Sequence, residues 1–216
     1  GPMAILAAAG SRAAALRSLA ATLTEQEGRH GAVAFAFGRS LLSVLQRQSE
    51  QIAALPDAIA LRVWEAGAED PSALTGTTLL AVLTHSRRVM AEQRALHSLC
   101  FDRLPRPSGE SSSSGGDEGG LPANFPVGVQ LLAALYTELG PLGGIPGLSR
   151  ALLWRFFAAA AAPWLRWLRD AIFRASANDP HHEFEAGMTS RTSSFASHLP
   201  DFLSSLKSAV DESVLC

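Results

Sequence analysis

The apolar residues of this chain recur every three to four positions, which is the spacing of one face of an α-helix. No stretch alternates apolar and polar residues in the manner of a half-buried strand. Glycine and proline punctuate the periodic segments and mark their ends. The pattern predicts helices over residues 4–26, 31–55, 57–66, 74–101, 127–139 and 151–172, and a last one from Pro200. We therefore predict an all-α fold, a helical bundle of about seven helices.

The strongest periodicity lies in the second half of the chain, where one apolar face continues for several turns. Pro163 falls inside this stretch, so we expect a kink or two abutting helices there. The face comprises Leu152, Leu153, Phe156, Phe157, Ala160, Trp164, Trp167, Leu168, Ala171 and Ile172. A similar face in the first half comprises Val33, Phe37, Leu41, Val44, Leu45 and Ile52.

One segment has the composition of a linker. The string PRPSGESSSSGGDEGG, residues 105–120, has too few apolar groups to bury a core. A loop of this length is unusual inside a compact domain and indicates an insertion. We therefore divide the chain into an N-terminal helical bundle (1–104), a flexible linker or insertion (105–124) and a C-terminal helical part of the same domain (125–216).

Composition and charge narrow the function classes. The chain is 47% hydrophobic and 18% charged, which is typical of a globular protein. Its formal net charge of −2 gives no basic footprint for nucleic acid. The two cysteines, Cys100 and Cys216, form no disulfide framework and have no metal-ligand spacing. The longest apolar run is broken by Arg155, Pro163 and Arg166, so we expect no membrane span.

Two groups of residues could carry chemistry. Asp179, His181, His182 and Glu183 are the best metal candidates, but adjacent histidines point to different faces of a helix. The spacing fits a helix start better, with Asp179 as cap and Glu183 in the first turn.

His97 and Cys100 lie three residues apart, on one face of a predicted helix, as a nucleophile and its base would. Amphipathic helices produce such pairs by chance. The sequence contains no nucleophile elbow, phosphate loop or zinc-protease motif. We expect no enzyme activity, no cofactor and no metal.

Tryptophan and arginine alternate around Trp164, Arg166, Trp167 and Arg169. Aromatic residues beside arginine are typical of helices that lie on membrane surfaces. They also occur on a buried aromatic face whose arginine side chains extend outward to water. Because the apolar face continues beyond the tryptophans, we favour the buried face and keep a lipid-binding helical protein as the alternative.

The sequence from Pro163 onward, PWLRWLRDAIFRASANDPHHEF, resembles a motif of the gamma-tubulin complex protein family. In the N-terminal GRIP domain of that family, a helix opens with Ala-Pro-aromatic and leads to an acidic-Pro-x-x-Glu-Phe element. The residues that carry the motif here are Pro163, Trp164, Trp167, Asp179, Pro180, Glu183 and Phe184.

Two upstream segments are also similar to that family. FPVGVQLLAALYTEL (125–139) resembles its Gly-x-x-Leu-Leu-x-x-Leu-Tyr helix, nearest to the divergent members five and six. GAVAFAFGRSLLSVL (31–45) resembles its Ala-Phe-x-x-Gly-Leu helix. The chain departs from the family at Ala171, where Trp is usual, and at Ala175, where Gly is usual.

The resemblance implies a non-catalytic scaffold fragment of a gamma-tubulin complex component. Such a fragment makes lateral subunit contacts that template microtubule nucleation, in the cytoplasm and cytoskeleton at a microtubule organising centre. The implied partners are other gamma-tubulin complex proteins. Gamma-tubulin itself is held by a second GRIP domain, which has no counterpart in these 216 residues. The motif residues would then have architectural roles, and we expect no nucleic-acid or membrane partner.

Overall fold

The computed structural model describes residues 2–25, 27–57, 73–104, 125–140, 145–174 and 181–183. These residues form five α-helices: α1 (Pro2–Glu25), α2 (Glu27–Ala53), α3 (Ala73–Ser98), α4 (Gly128–Leu139) and α5 (Arg150–Arg174). A π-helical turn, Leu99–Arg103, extends α3. None of the described residues lies in a strand, so the all-α prediction is confirmed.

The described helices number five, fewer than the predicted seven or so. Two of the predicted helices, at 57–66 and from Pro200, fall almost wholly outside the described residues. The boundaries of the five others lie within a few residues of those that the periodicity predicts. The π-helical turn is a feature that the apolar pattern does not predict. It ends where the Leu104 N–H donates to the Leu99 carbonyl at 3.1 Å.

Helices α1 and α2 are nearly consecutive in sequence and pack against each other, and α1 also contacts α3. Their approach is close at Gly38, where an added Cβ would lie 2.7 Å from the Cβ of Leu23. Real Cβ atoms do not come so near another side chain, so a larger residue here would push the helices apart. Glycine at this position therefore sets the distance between α1 and α2.

Helix α2 lies at the centre of the molecule, in contact with α1, α4 and α5. The Phe37 ring occupies the middle of this packing, with its centroid 5.7 Å from that of Phe156 and 6.2 Å from that of Phe125. Tilted aromatic pairs at these distances add to the stabilisation that burial alone provides. The largest fully buried side chains are Trp164, Phe37, Phe156, Phe157, Leu16, Leu23, Leu41, Leu96, Leu99, Leu131 and Leu132.

One hydrophobic core includes residues from both sides of the 105–124 segment. Leu96 and Leu99 precede that segment, Leu131 and Leu135 follow it, and all four belong to the same cluster of buried side chains. The segment itself lies outside the described residues. The helices before and after it thus bury their apolar faces against each other.

Helix α5 runs through Pro163 as one helix, so of the two expected alternatives, that of two abutting helices is wrong. Proline has no N–H to donate to the carbonyl of Ala159, one turn earlier. The side chains around this position pack in the core, since Phe156, Phe157 and Trp164 are all fully buried.

Two apolar residues that we assigned to buried faces lie at the surface. Ile172, near the end of α5, is 66% exposed, and Ile52, near the end of α2, is 42% exposed. The last buried apolar residues, Leu45 in α2 and Trp167 in α5, lie about two turns before their helices end, a limit that periodicity alone does not indicate.

Candidate functional site

Helix α2 contains a break at Gly31, whose backbone has φ 82° and ψ 167°. This is a conformation that residues with a Cβ rarely adopt. Residues 27–30 form a short helical segment before the break, and the main helix starts at Ala32. The first N–H groups of that main helix therefore need acceptors from elsewhere in the molecule.

The acceptor is the carboxylate of Glu183, 151 residues further along the chain. The N–H of Ala32 donates to Glu183 Oε2 at 2.9 Å, and that of Val33 donates to the same oxygen at 3.4 Å. A negative charge at a helix N-terminus also interacts favourably with the helix dipole. The Glu183 side chain is therefore a long-range cap for α2, and its residue is buried.

Gly31 and Gly128 both leave room for this carboxylate. A Cβ on Gly31 would overlap the Glu183 carboxyl group, and one on Gly128 would lie 3.2 Å from Glu183 Oε1. Gly128 also has a positive φ, 57°, and is the first residue of α4. We call Glu183, Gly31 and Gly128 the clasp, because together they bring the starts of α2 and α4 to one carboxylate.

The clasp differs from what the sequence predicts for Glu183. We predict this residue in the first turn of a helix capped by Asp179, and Glu183 is helical in the structure. Asp179 lies outside the described residues, and the carboxylate of Glu183 caps α2, a role that the sequence analysis does not predict. The sequence contains one clue. Gly31 and Gly128 both open apolar helices, and the N-cap residue of α4, Val127, makes no side-chain cap hydrogen bond. Two helix starts without a local cap indicate an acceptor from a distant part of the chain.

The other motif residues in the described part of the chain lie on α5. Trp164 and Trp167 are buried in the core, and Pro163 is half-buried on the same helix. The arginines that alternate with them, Arg166 and Arg169, are exposed. This is the buried aromatic face that we favoured over a membrane-facing one. Asp179, Pro180 and Phe184 lie outside the described residues.

The metal candidates do not converge in the described part of the chain. His182 is exposed with φ 53°, His181 is half-buried, and the Glu183 carboxylate is engaged at the start of α2. Among the described residues there is no group of three side chains that could hold a metal ion. Asp179, the fourth candidate, is outside them.

Cys100 lies in the core beside α3, and burial raises the pKa of its thiol to about 12. A thiol with such a pKa stays protonated at neutral pH and is a poor nucleophile. His97 packs its ring against Phe101, with centroids 4.6 Å apart. His97 and Cys100 therefore resemble packed side chains at the end of a helix more than a nucleophile and its base.

The end of α5 exposes two large apolar side chains beside arginines. Phe173 is 81% exposed, and Ile172 next to it is also exposed. Arg169 and Arg174 flank them, and both pair with Asp170, at 3.0 Å and 3.8 Å. Exposed aromatic and basic groups in one place mark a surface that can contact a partner.

None of the described helices is long and apolar enough to cross a membrane. No protein-family model, curated protein or solved structure matches the chain. The resemblance to gamma-tubulin complex proteins rests on the motifs quoted above.

Proposed function

We propose that this chain is a non-catalytic scaffold fragment of a gamma-tubulin complex component, which makes lateral subunit contacts for microtubule nucleation. The clasp supports this proposal. Glu183 belongs to the acidic-Pro-x-x-Glu-Phe element, Gly31 opens the segment like the Ala-Phe-x-x-Gly-Leu helix, and Gly128 opens the one like the Gly-x-x-Leu-Leu helix. Three segments chosen for separate resemblances thus meet at one carboxylate.

The contact of these three segments at the Glu183 carboxylate is consistent with architectural roles for the motif residues. A carboxylate that caps one helix and packs on another holds a bundle together and transforms no substrate. In the proposed assembly the bundle has about seven helices, lies beside other gamma-tubulin complex proteins and works at a microtubule organising centre in the cytoplasm. Gamma-tubulin would be held by a second GRIP domain.

Size-exclusion chromatography with separately purified proteins tests the proposal. The chain is mixed with gamma-tubulin in one run and with the N-terminal region of another gamma-tubulin complex protein in a second. We expect co-elution with the family member and none with gamma-tubulin. A stable lateral contact would bury at least about 1,200 Å² in total. Co-elution with gamma-tubulin alone would refute the assignment.

The exposed end of α5 favours a second candidate, a membrane-surface or lipid-binding helical protein. Phe173 and Ile172 would insert between lipid headgroups, and lipid phosphates would replace Asp170 as the partner of Arg169 and Arg174. Co-sedimentation with vesicles that contain anionic lipid distinguishes the two. Binding that is lost in Phe173→Ala would favour the lipid candidate, whereas no binding to vesicles would favour the scaffold.

A further inference from the structure

A cleft of about 500 Å³ lies between the second half of α2, the middle of α3 and the start of α5. Its apolar lining includes Val44 and Ile52 of α2, Val89 of α3 and Leu152 of α5. This volume holds several side chains of a bound peptide but not a folded domain. We call it the basic cleft because of the charged groups described next.

Three arginines line the basic cleft, one from each helix: Arg47, Arg88 and Arg155. The single carboxylate in the lining, Glu92, is paired with Arg88 at 3.3 Å. Arg155 donates to the Ser43 hydroxyl at 3.0 Å, and Arg47 has no ion pair within the described part of the chain. Within the described residues, the guanidinium groups of Arg47 and Arg155 thus have no carboxylate partner. The described lining therefore has a net positive charge, although the net charge of the whole chain is −2.

The start of α5 adds to this charge. Ser149 and Ala151 line the cleft, and the Leu152 N–H donates to the Ser149 hydroxyl at 3.2 Å. The first turn of α5 contains no acidic residue. A helix N-terminus carries a partial positive charge, and no acidic residue in the first turn of α5 offsets it here.

A buried polar side chain in the lining has an unused acceptor. Gln48 is 2% exposed, and its Nε2 donates to Glu92 Oε2 at 3.3 Å. Its Oε1 is buried and accepts no hydrogen bond from the described residues. Such an acceptor costs free energy until a donor reaches it. A peptide backbone has N–H groups that can donate to such an oxygen.

We propose that the basic cleft binds an acidic, partly apolar peptide segment of a partner protein. Carboxylates of the segment pair with Arg47 and Arg155, its apolar side chains pack on Val44, Ile52 and Val89, and a backbone N–H donates to Gln48. The charge of the cleft selects an acidic segment over a basic one. The proposal goes beyond the lateral contact and does not depend on it.

The test uses fluorescence anisotropy with the full chain and three labelled peptides. The first peptide is a repeat of Glu and Leu. The second has Gln in place of each Glu, and the third has Lys in place of each Glu. We expect the Glu peptide to bind most tightly and the Lys peptide not to bind. Binding of the Glu peptide should weaken as the salt concentration is raised, because the screening length falls from about 8 Å at 0.15 M to about 3 Å at 1 M.

Substitutions locate the site. Arg47→Ala combined with Arg155→Ala should raise the Kd of the Glu peptide about tenfold, the effect of two lost surface charge pairs. Arg94→Ala is the matched control, since Arg94 is exposed on α3 and does not line the cleft. Arg155→Lys keeps the charge and should keep most of the binding. Equal melting temperatures for the variants would show that folding is intact.

Three outcomes would overturn the proposal. The first is equal binding of the Glu and Gln peptides, which would mean that charge does not select the ligand. The second is an unchanged Kd in the Arg47→Ala, Arg155→Ala variant. The third is displacement of the peptide by a single-stranded oligonucleotide that binds more tightly than any peptide, which would identify the cleft as a polyanion site.

Discussion

Glu183 connects segments of the chain that are far apart in the sequence. Its carboxylate caps α2 from a distance of 151 residues in sequence and packs against the start of α4. Since the side chain is buried, its removal would leave the N–H groups of Ala32 and Val33 without an acceptor. Single residues at the clasp should therefore affect stability more than most surface positions do.

We expect Glu183→Ala to lower the free energy of unfolding by about 1–3 kcal/mol, because a charged cap to buried N–H groups is lost. Glu183→Gln keeps an acceptor without the charge and should cost less. Urea denaturation followed by circular dichroism measures both. Glu25→Ala is the matched control, as Glu25 is an exposed acid at a helix end, and it should change stability little. An equal loss in Glu183→Ala and Glu25→Ala would contradict the capping role.

Gly31→Ala should destabilise the protein by about 1–3 kcal/mol, since the new Cβ would both strain a backbone at positive φ and overlap the Glu183 carboxyl group. Gly10→Ala makes the same chemical change in the open interior of α1, where a Cβ meets no atom within 4 Å. That control should stabilise the helix by about 0.5–1 kcal/mol. Thermal melts of both variants should shift in opposite directions.

The effects of Gly31→Ala and Glu183→Ala on the free energy of unfolding should not be additive. In the Glu183→Ala background the overlap with the carboxyl group is gone, so Gly31→Ala should cost less there than in the unaltered chain. A double-mutant cycle with additive costs would mean that the two residues do not share a contact.

At the scale of the helices, the spacing of apolar residues made the helices and their buried faces predictable. The faces of α2 and α5 followed from apolar residues at helical spacing, and Phe37, Phe156 and Trp164 are buried as that spacing requires. Ile52 and Ile172 share the spacing and are exposed, because burial depends on what packs against a helix end. The cap from Glu183 was missed for the same reason: hydrogen bonds between distant segments leave little mark on local sequence.

Helix α5 offers a matched pair of apolar positions that differ in burial. Trp164→Ala should cost about 3–5 kcal/mol, the usual effect of truncating a buried tryptophan. Ile172→Ala, two turns further along, should change stability by less than about 0.5 kcal/mol because the side chain is exposed. Chemical denaturation of both variants checks the difference. Similar losses would mean that the end of α5 is packed as tightly as its middle.

At the scale of the whole molecule, one core joins helices that precede and follow the 105–124 segment. Leu104 is buried immediately before it, and Phe125 packs against the core immediately after it. The core is therefore built from both parts of the chain.

Replacing residues 105–120 with a short Gly/Ser link should change the free energy of unfolding by less than about 1 kcal/mol, since loop-closure entropy varies slowly with length. Denaturant titration of the shortened chain measures this. Substituting four serines at positions 111–114 with alanine is a control that keeps the length. A loss well above that limit would show that the segment packs against the bundle.

The long separation between Gly31 and Glu183 has a consequence for synthesis on the ribosome. The main part of α2 leaves the ribosome well before its cap, because Glu183 follows Ala32 by 151 positions in the sequence. At about 5–20 residues per second, that delay is roughly 8–30 s. During this time the N-terminus of a central helix is open to solvent, so a nascent chain halted before Glu183 should be more accessible to proteases and chaperones at Gly31 than the finished protein.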